Sequence, residues 1–174
     1  MKPGSYAFLA ILVHALTHAS AQNSSPAQSM YEALYGYCML PKSNLRSVAD
    51  LAEMMGGYKL PDNKVAPKVK RKNGLSYIVK HDNQVYLLSC IHKQVCSITS
   101  DNTDITLLKK KLSSSLKLRF ISAESTISEV TEAYSIIQEG EFKHSIITLT
   151  YSLEDTPYST ATISYHRRII VQKL

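Results

Sequence analysis

Residues 145–153, SIITLTYSL, place Ile147, Leu149, Tyr151 and Leu153 on one side of an extended chain and Ile146, Thr148, Thr150 and Ser152 on the other. A period of two belongs to a strand. One apolar and one polar face belong to an antiparallel sheet covered on a single side. The pattern recurs in TATISYHRRII through Ala161, Ile163 and Tyr165, in VTEAYSII from Val130 through Tyr134 to Ile136, and in LKLRFI. Upstream, SYIVKHD and QVYLLSCI flank Asp82-Asn83, a favourable turn pair, and QVCSITS returns after a turn near Lys93.

Three segments have helical spacing instead. In MYEALYGYCML, residues Tyr31, Leu34, Tyr35 and Cys38 fall on one helix face, and Pro41 ends it. SNLRSVADLAEMMGG has Ser43 or Asn44 as cap, a stripe of Leu45, Val48, Ala52 and Met55, and a Gly56-Gly57 stop. DNTDITLLKKKLSSSL has Ile105, Leu108 and Leu112 on one face, Asp101 or Thr103 as cap, and Lys109 to Lys111 facing solvent. Residues 58–74, with two prolines, read as a loop. The order predicts an α+β fold: two N-terminal helices and an antiparallel sheet of about six to seven strands with one inserted helix. No internal repeat or low-complexity tract is visible.

The first 22 residues, MKPGSYAFLAILVHALTHASAQ, set one basic residue, Lys2, before an apolar stretch from Tyr6 to Leu16 and small residues at Ala19-Ser20-Ala21. This is the pattern of a secretory signal peptide, and the apolar stretch is too short to span a bilayer. The expected organisation is a signal peptide over 1–21, a flexible leader over 22–30 and a single domain over 31–174. After removal of the signal no further transmembrane segment is expected. The formal charge of +6 becomes +5 without Lys2. That excess favours weak attraction to acidic surfaces without choosing among them.

Export sets the redox expectation for Cys38, Cys90 and Cys96. Residue 90 opposes residue 96 across the hairpin, and Cys38 lies on a buried helix stripe. Two kinds of disulfide are open: a cross-strand Cys90–Cys96 link, or a link from Cys38 to one of the two strand cysteines. The first closes a short loop and restrains little. The second ties a helix to the sheet and closes a loop of over fifty residues, a constraint of roughly 4 kcal/mol. Cys38–Cys96 is preferred. The aromatic-rich YEALYGYC, the Gly-Gly helix stop and the CSI strand opening resemble small exported bacterial proteins of uncharacterised function, over Tyr31 to about Leu112. The resemblance implies the same Cys38–Cys96 pair and no activity. Cys90 departs from its pattern and is expected to be a leftover, inert buried thiol; a reactive thiol beside His92 is the sharper alternative.

Catalytic and metal signatures are absent. His81, His92, His144 and His166 have no ligand spacing to one another, and neither a phosphate loop, a dinucleotide fingerprint nor a nucleophile elbow occurs. No metal and no cofactor are expected. The densest basic stretch, KVAPKVKRKNG, carries Lys64, Lys68, Lys70, Arg71 and Lys72. It is the candidate contact for an unknown protein or acidic surface ligand, together with the sheet's polar face. It lacks interleaved aromatics, so nucleic acid is not expected. The leading expectation is an exported, non-catalytic binding or accessory protein. The alternative is a small secreted hydrolase using histidine and lysine, which requires two histidines to converge. A peripheral protein at an anionic membrane is a third possibility.

Overall fold

The computed structural model describes residues 24–41, 44–91, 95–153 and 159–167. The expected signal peptide over 1–21, Ser43 and His92 lie outside them.

Helix α1 spans Pro26–Ala33. Ser25 caps it, its side chain accepting the Gln28 N–H at 3.2 Å, and Pro26 occupies the first turn, where its missing N–H costs nothing. The helix therefore starts inside the stretch expected as a flexible leader, and Ala27 and Met30 are buried. A Ser-Pro start signal, rather than an apolar stripe, marks this end. The chain runs on into a π-helical turn over Leu34–Met39. There the Leu40 N–H reaches back five residues to the Tyr35 carbonyl, at 3.0 Å. The wider turn rotates the stripe. Tyr37 and Met39 join Cys38 in the core, while Tyr35, expected on the buried face, is 37 % exposed.

Helix α2, Leu45–Met54, is capped by the Asn44 side chain, which accepts from the N–H groups of Arg46 and Ser47. Val48 and Ala52 are buried as expected, but Met55 is 60 % exposed. It is the C-cap, and the chain has already left the helical path. Gly56 adopts φ +76°, its N–H bonds the Glu53 carbonyl, and the Gly57 N–H bonds the Ala52 carbonyl at 2.7 Å. This is a Schellman stop. A Cβ at Gly57 would sit 2.8 Å from the Ala52 oxygen, so both glycines are needed for different reasons.

The stretch expected as a loop contains two short elements, β1 (Tyr58–Lys59) and helix α3 (Pro67–Lys70). A two-residue strand has no alternation to read; β1 exists because it pairs with β2 (Leu75–His81). The remaining elements are β3 (Gln84–Ile91), β4 (Val95–Thr103), α4 (Ile105–Ser115), β5 (Leu118–Ser125), β6 (Glu129–Ile136), β7 (Ile146–Ser152) and β8 (Ser159–His166). Among the described residues, four α-helices, a π-helical turn and eight strands stand where three helices and about six to seven strands were expected. Helix α4 is capped by Asp104 rather than by Asp101 or Thr103, because β4 continues through Thr103. Asp82 and Asn83 take φ 46° and 63°, the two positive values of a tight hairpin turn.

All strands join one antiparallel sheet in the order β1-β2-β3-β4-β8-β7-β6-β5. Each half of the chain places helix before meander: α1 and α2 precede β1 to β4, and α4 precedes β5 to β8. The last strand of each meander meets the other at the centre. Helix α4 carries the chain from central β4 to the far edge at β5 and packs against α1 on the way. The core lies between the helices and one sheet face, with Tyr77, Tyr86, Leu88, Ile98, Ile147, Leu149, Ile163 and Tyr165 all buried.

Cys90 and Cys96 are opposed in register, on the helix side of the sheet. The disulfide is Cys38–Cys96, with a Cα–Cα distance of 5.3 Å and a sequence separation of 58. It fixes the π-helical turn to β4. Cys90 is outside the disulfide, 2 % exposed, and burial pushes its thiol pKa up to about 12. At neutral pH that leaves almost no thiolate, the form that reacts.

Candidate binding surface

The sheet face opposite α1, α2 and α4 carries hydroxyls in register. Ser76, Ser89, Ser97, Ser164 and Thr148 are successive cross-strand partners from β2 to β7, and Ala133 and Ser122 continue the row to β5. The adjacent row runs Ile78, Leu87, Thr99, Thr162, Thr150, Thr131 and Glu124. At a strand spacing of about 4.8 Å each row is roughly 30 Å long. The hydroxyls bond one another across strands: Ser76 with Ser89 at 2.9 Å, Thr99 with Thr162 at 2.8 Å and Thr131 with Thr150 at 2.9 Å. Cross-strand Thr and Ser pairs of this kind hold register and fix the direction of each side chain. Residues of the second row from Ile78 to Thr131 are half-buried, whereas their helix-side neighbours in β2, β3, β4 and β8 are fully buried. The face is thus preorganised and, apart from the buried Ser76, accessible.

Two features break its uniformity. Near the β2–β3 turn, Ile78, Val85 and Leu87 place apolar side chains on the hydroxyl face. With Thr99, Asp101 and Thr160 they line a cleft of about 280 Å³. At the other end His166 lies in the row Ile91, Val95, His166, Ile146. Its Nε2 shares a 2.9 Å hydrogen bond with the Thr148 hydroxyl. Burial, then the nearby Lys68 charge, hold its imidazole below the ordinary histidine value.

That interaction locates the basic segment. Helix α3 lies against β2 and β3, with Val69 seated over Gly74: a Cβ there would fall 2.5 Å from Val69 Cγ1 and 2.6 Å from the Cys90 carbonyl oxygen. Lys64, Lys68, Lys70, Arg71 and Lys72 are all exposed. The structure thus brings helix α3 and its Lys68 to the His166 end of the hydroxyl face.

Among the described residues it does not bring His81 and His166 together. His81 closes β2 at the β2–β3 turn, whereas His166 pairs with Val95 at the opposite end of the sheet. The seven steps of β3 between those ends amount to about 23 Å. His144 is exposed in the turn before β7. Lys109, expected on the solvent face of its helix, turns instead toward the sheet. Its Nζ donates to Glu132 Oε1 at 2.7 Å and to the Tyr151 hydroxyl at 3.0 Å, and lies over the Tyr151 ring. Glu132 also accepts from Tyr134 at 2.6 Å and from Tyr151 at 3.0 Å. Burial opposes ionisation of both partners, but the hydrogen bonds outweigh it. They lower the Glu132 pKa and raise that of Lys109. The only sequence hint was Glu132 itself, a carboxylate at a helix-side strand position.

No protein-family model, curated protein or solved structure matches the chain. Among the described residues no helix is long and apolar enough to cross a membrane.

Proposed function

We propose that the chain is an exported, non-catalytic binding protein whose partner is a protein with an acidic surface, held by the hydroxyl face of the sheet and the basic segment 64–72. The packing of α3 against β2 and β3, with the Lys68 charge near His166, carries this reading, because it sets the charged segment beside the ordered face. The hydroxyls offer directional hydrogen bonds at fixed spacing, and the exposed lysines and Arg71 supply long-range attraction. The apolar cleft at Ile78, Val85 and Leu87 gives such a partner a place to bury a side chain. Export rests on the leader-like residues 1–21. It is supported by the Cys38–Cys96 disulfide, a bond typical of oxidising compartments. The likeness to small exported bacterial proteins points the same way.

The test is affinity capture from the native envelope or medium, followed by binding measurements on the purified partner. Reversing Lys68, Lys70, Arg71 and Lys72 to Glu should weaken binding and flatten its salt dependence, and Thr162→Arg at the centre of the face should weaken binding on its own. A partner that binds the charge-reversed and Thr162→Arg chains as tightly as wild type removes this surface as the site.

A further inference from the structure

Away from that surface, beside the β2–β3 turn, three side chains of metal-ligating type converge from two elements. Glu32 projects from α1, His81 ends β2 and Asp82 opens the turn. One ligand atom from each lies within 4.8 Å of the other two. The His81 Nε2 is 3.6 Å from Glu32 Oε2 and 3.7 Å from Asp82 Oδ2, beyond hydrogen-bond length to both. That nitrogen is itself buried and has no hydrogen-bond partner. A buried polar atom without a partner, aimed between two carboxylates, calls for an explanation.

We propose that Glu32, His81 and Asp82 form a binding site for a divalent transition-metal ion of the zinc type, which ties α1 to the β2–β3 turn. Zinc takes nitrogen and oxygen ligands at about 2.0–2.2 Å in a tetrahedron, which places ligand atoms roughly 3.3–3.6 Å apart. The two distances from Nε2 are within a few tenths of an ångström of that spacing. One imidazole with two carboxylates suits zinc; calcium and magnesium prefer all-oxygen sets with more ligands.

A supporting shell is in place. The Gln28 side-chain amide donates to Glu32 Oε1 at 2.8 Å and leaves Oε2 facing the histidine. The Ser24 hydroxyl donates to Asp82 Oδ2 at 2.7 Å, and the Ser29 hydroxyl donates to the His81 carbonyl at 3.1 Å. Such bonds orient ligands and support affinity. The three side chains remain partly accessible, although the His81 Nε2 itself is buried. Sequence spacing could not show the site, because Glu32 lies far upstream of the His81-Asp82 pair, and the expectation of no metal rested on spacing.

The test is calorimetric titration of the full chain with Zn²⁺ at neutral pH, beside a wild-type measurement of the His81 imidazole ¹⁵N resonances. A one-to-one component is expected. His81→Gln and Glu32→Gln should each weaken it at least about tenfold. His144→Gln, remote in the turn before β7, should leave it unchanged, and Ca²⁺ or Mg²⁺ at equal concentration should not displace the zinc. In the wild-type protein the His81 resonances should move on zinc addition, a readout that survives if a variant fails to fold. Absence of saturable binding up to millimolar Zn²⁺, an unmoved His81 signal, or a component indifferent to both substitutions would show an ion pair only and overturn the proposal.

Discussion

Removing the disulfide by Cys38→Ala/Cys96→Ala isolates what holds the helical layer to the sheet. The sequence separation is 58. In the chain-entropy treatment a loop of that size removes about 14 cal/mol/K from the unfolded chain, or about 4 kcal/mol at 25 °C. Both sulfurs are fully buried, so truncation also leaves small voids that add about 1 kcal/mol. The total, about 5 kcal/mol, is a large share of the 5–15 kcal/mol typical of a domain. For a chain of this size it lowers Tm by about 10–20 °C. The assay is urea unfolding of the oxidised wild type and the double variant, read by circular dichroism. The midpoint should fall, and the slope should rise because the uncrosslinked chain exposes more surface when unfolded. Cys90→Ala is the control. It removes a buried thiol without opening a loop and should cost only the void, about 1 kcal/mol. A double variant no less stable than the Cys90→Ala control would refute the loop-constraint reasoning.

Two predictions concern pH. Glu132 has a lowered folded pKa, so its contribution is present above the unfolded carboxylate value and is lost as pH falls through the folded one. Glu132→Gln should therefore cost about 1–2 kcal/mol near neutrality and progressively less below about pH 4, as followed by urea unfolding across pH. Equal losses at both pH values would refute the ion-pair account. His166 is also lowered, but as a base: the unfolded chain takes up its proton first, so stability falls as pH drops below about 6.5 toward the folded value. His166→Asn should flatten that part of the stability–pH curve, and an unchanged slope between pH 7 and 5 would refute it.

The strands were legible because their burial is one-sided. Ile147 and Leu149, or Ala161, Ile163 and Tyr165, alternate with hydroxyl residues that face outward, so period two survives in the letters. The register of Cys90 against Cys96 followed from the hairpin, and Asp82-Asn83 marked its partner turn. Where the reading failed, a tertiary contact or an irregular turn had replaced a local rule. Tyr35 left the buried stripe because a π turn does not keep the α period. Strand β1 is defined by its partner rather than by its two residues. Lys109 looked like one of three solvent lysines, and its partner Glu132 lies on a strand that packs beneath its helix. The hydroxyl face was visible strand by strand as polar positions. That Ser76, Ser89, Ser97, Ser164 and Thr148 form one row depended on the β4–β8 pairing, which no local pattern encodes.

That pairing decides what kind of surface the chain presents. Two helix-plus-meander halves packed independently would have four exposed strand edges. Among the described residues, joining β4 to β8 leaves two, at β1 and β5, and reduces the unpaired backbone open to unwanted strand addition. The halves then secure their helices by different means: a covalent bond from the π turn to β4 in the first, a part-buried ion pair from α4 to β6 in the second. On the opposite face the join is seamless, since Ser97 meets Ser164 and Thr99 hydrogen-bonds Thr162 across it. The hydroxyl rows therefore belong to neither half alone. A substitution that disturbed the β4–β8 ladder would divide the face even if both meanders kept their own pairing, which is why the centre of the sheet, rather than either edge, is the place to probe recognition.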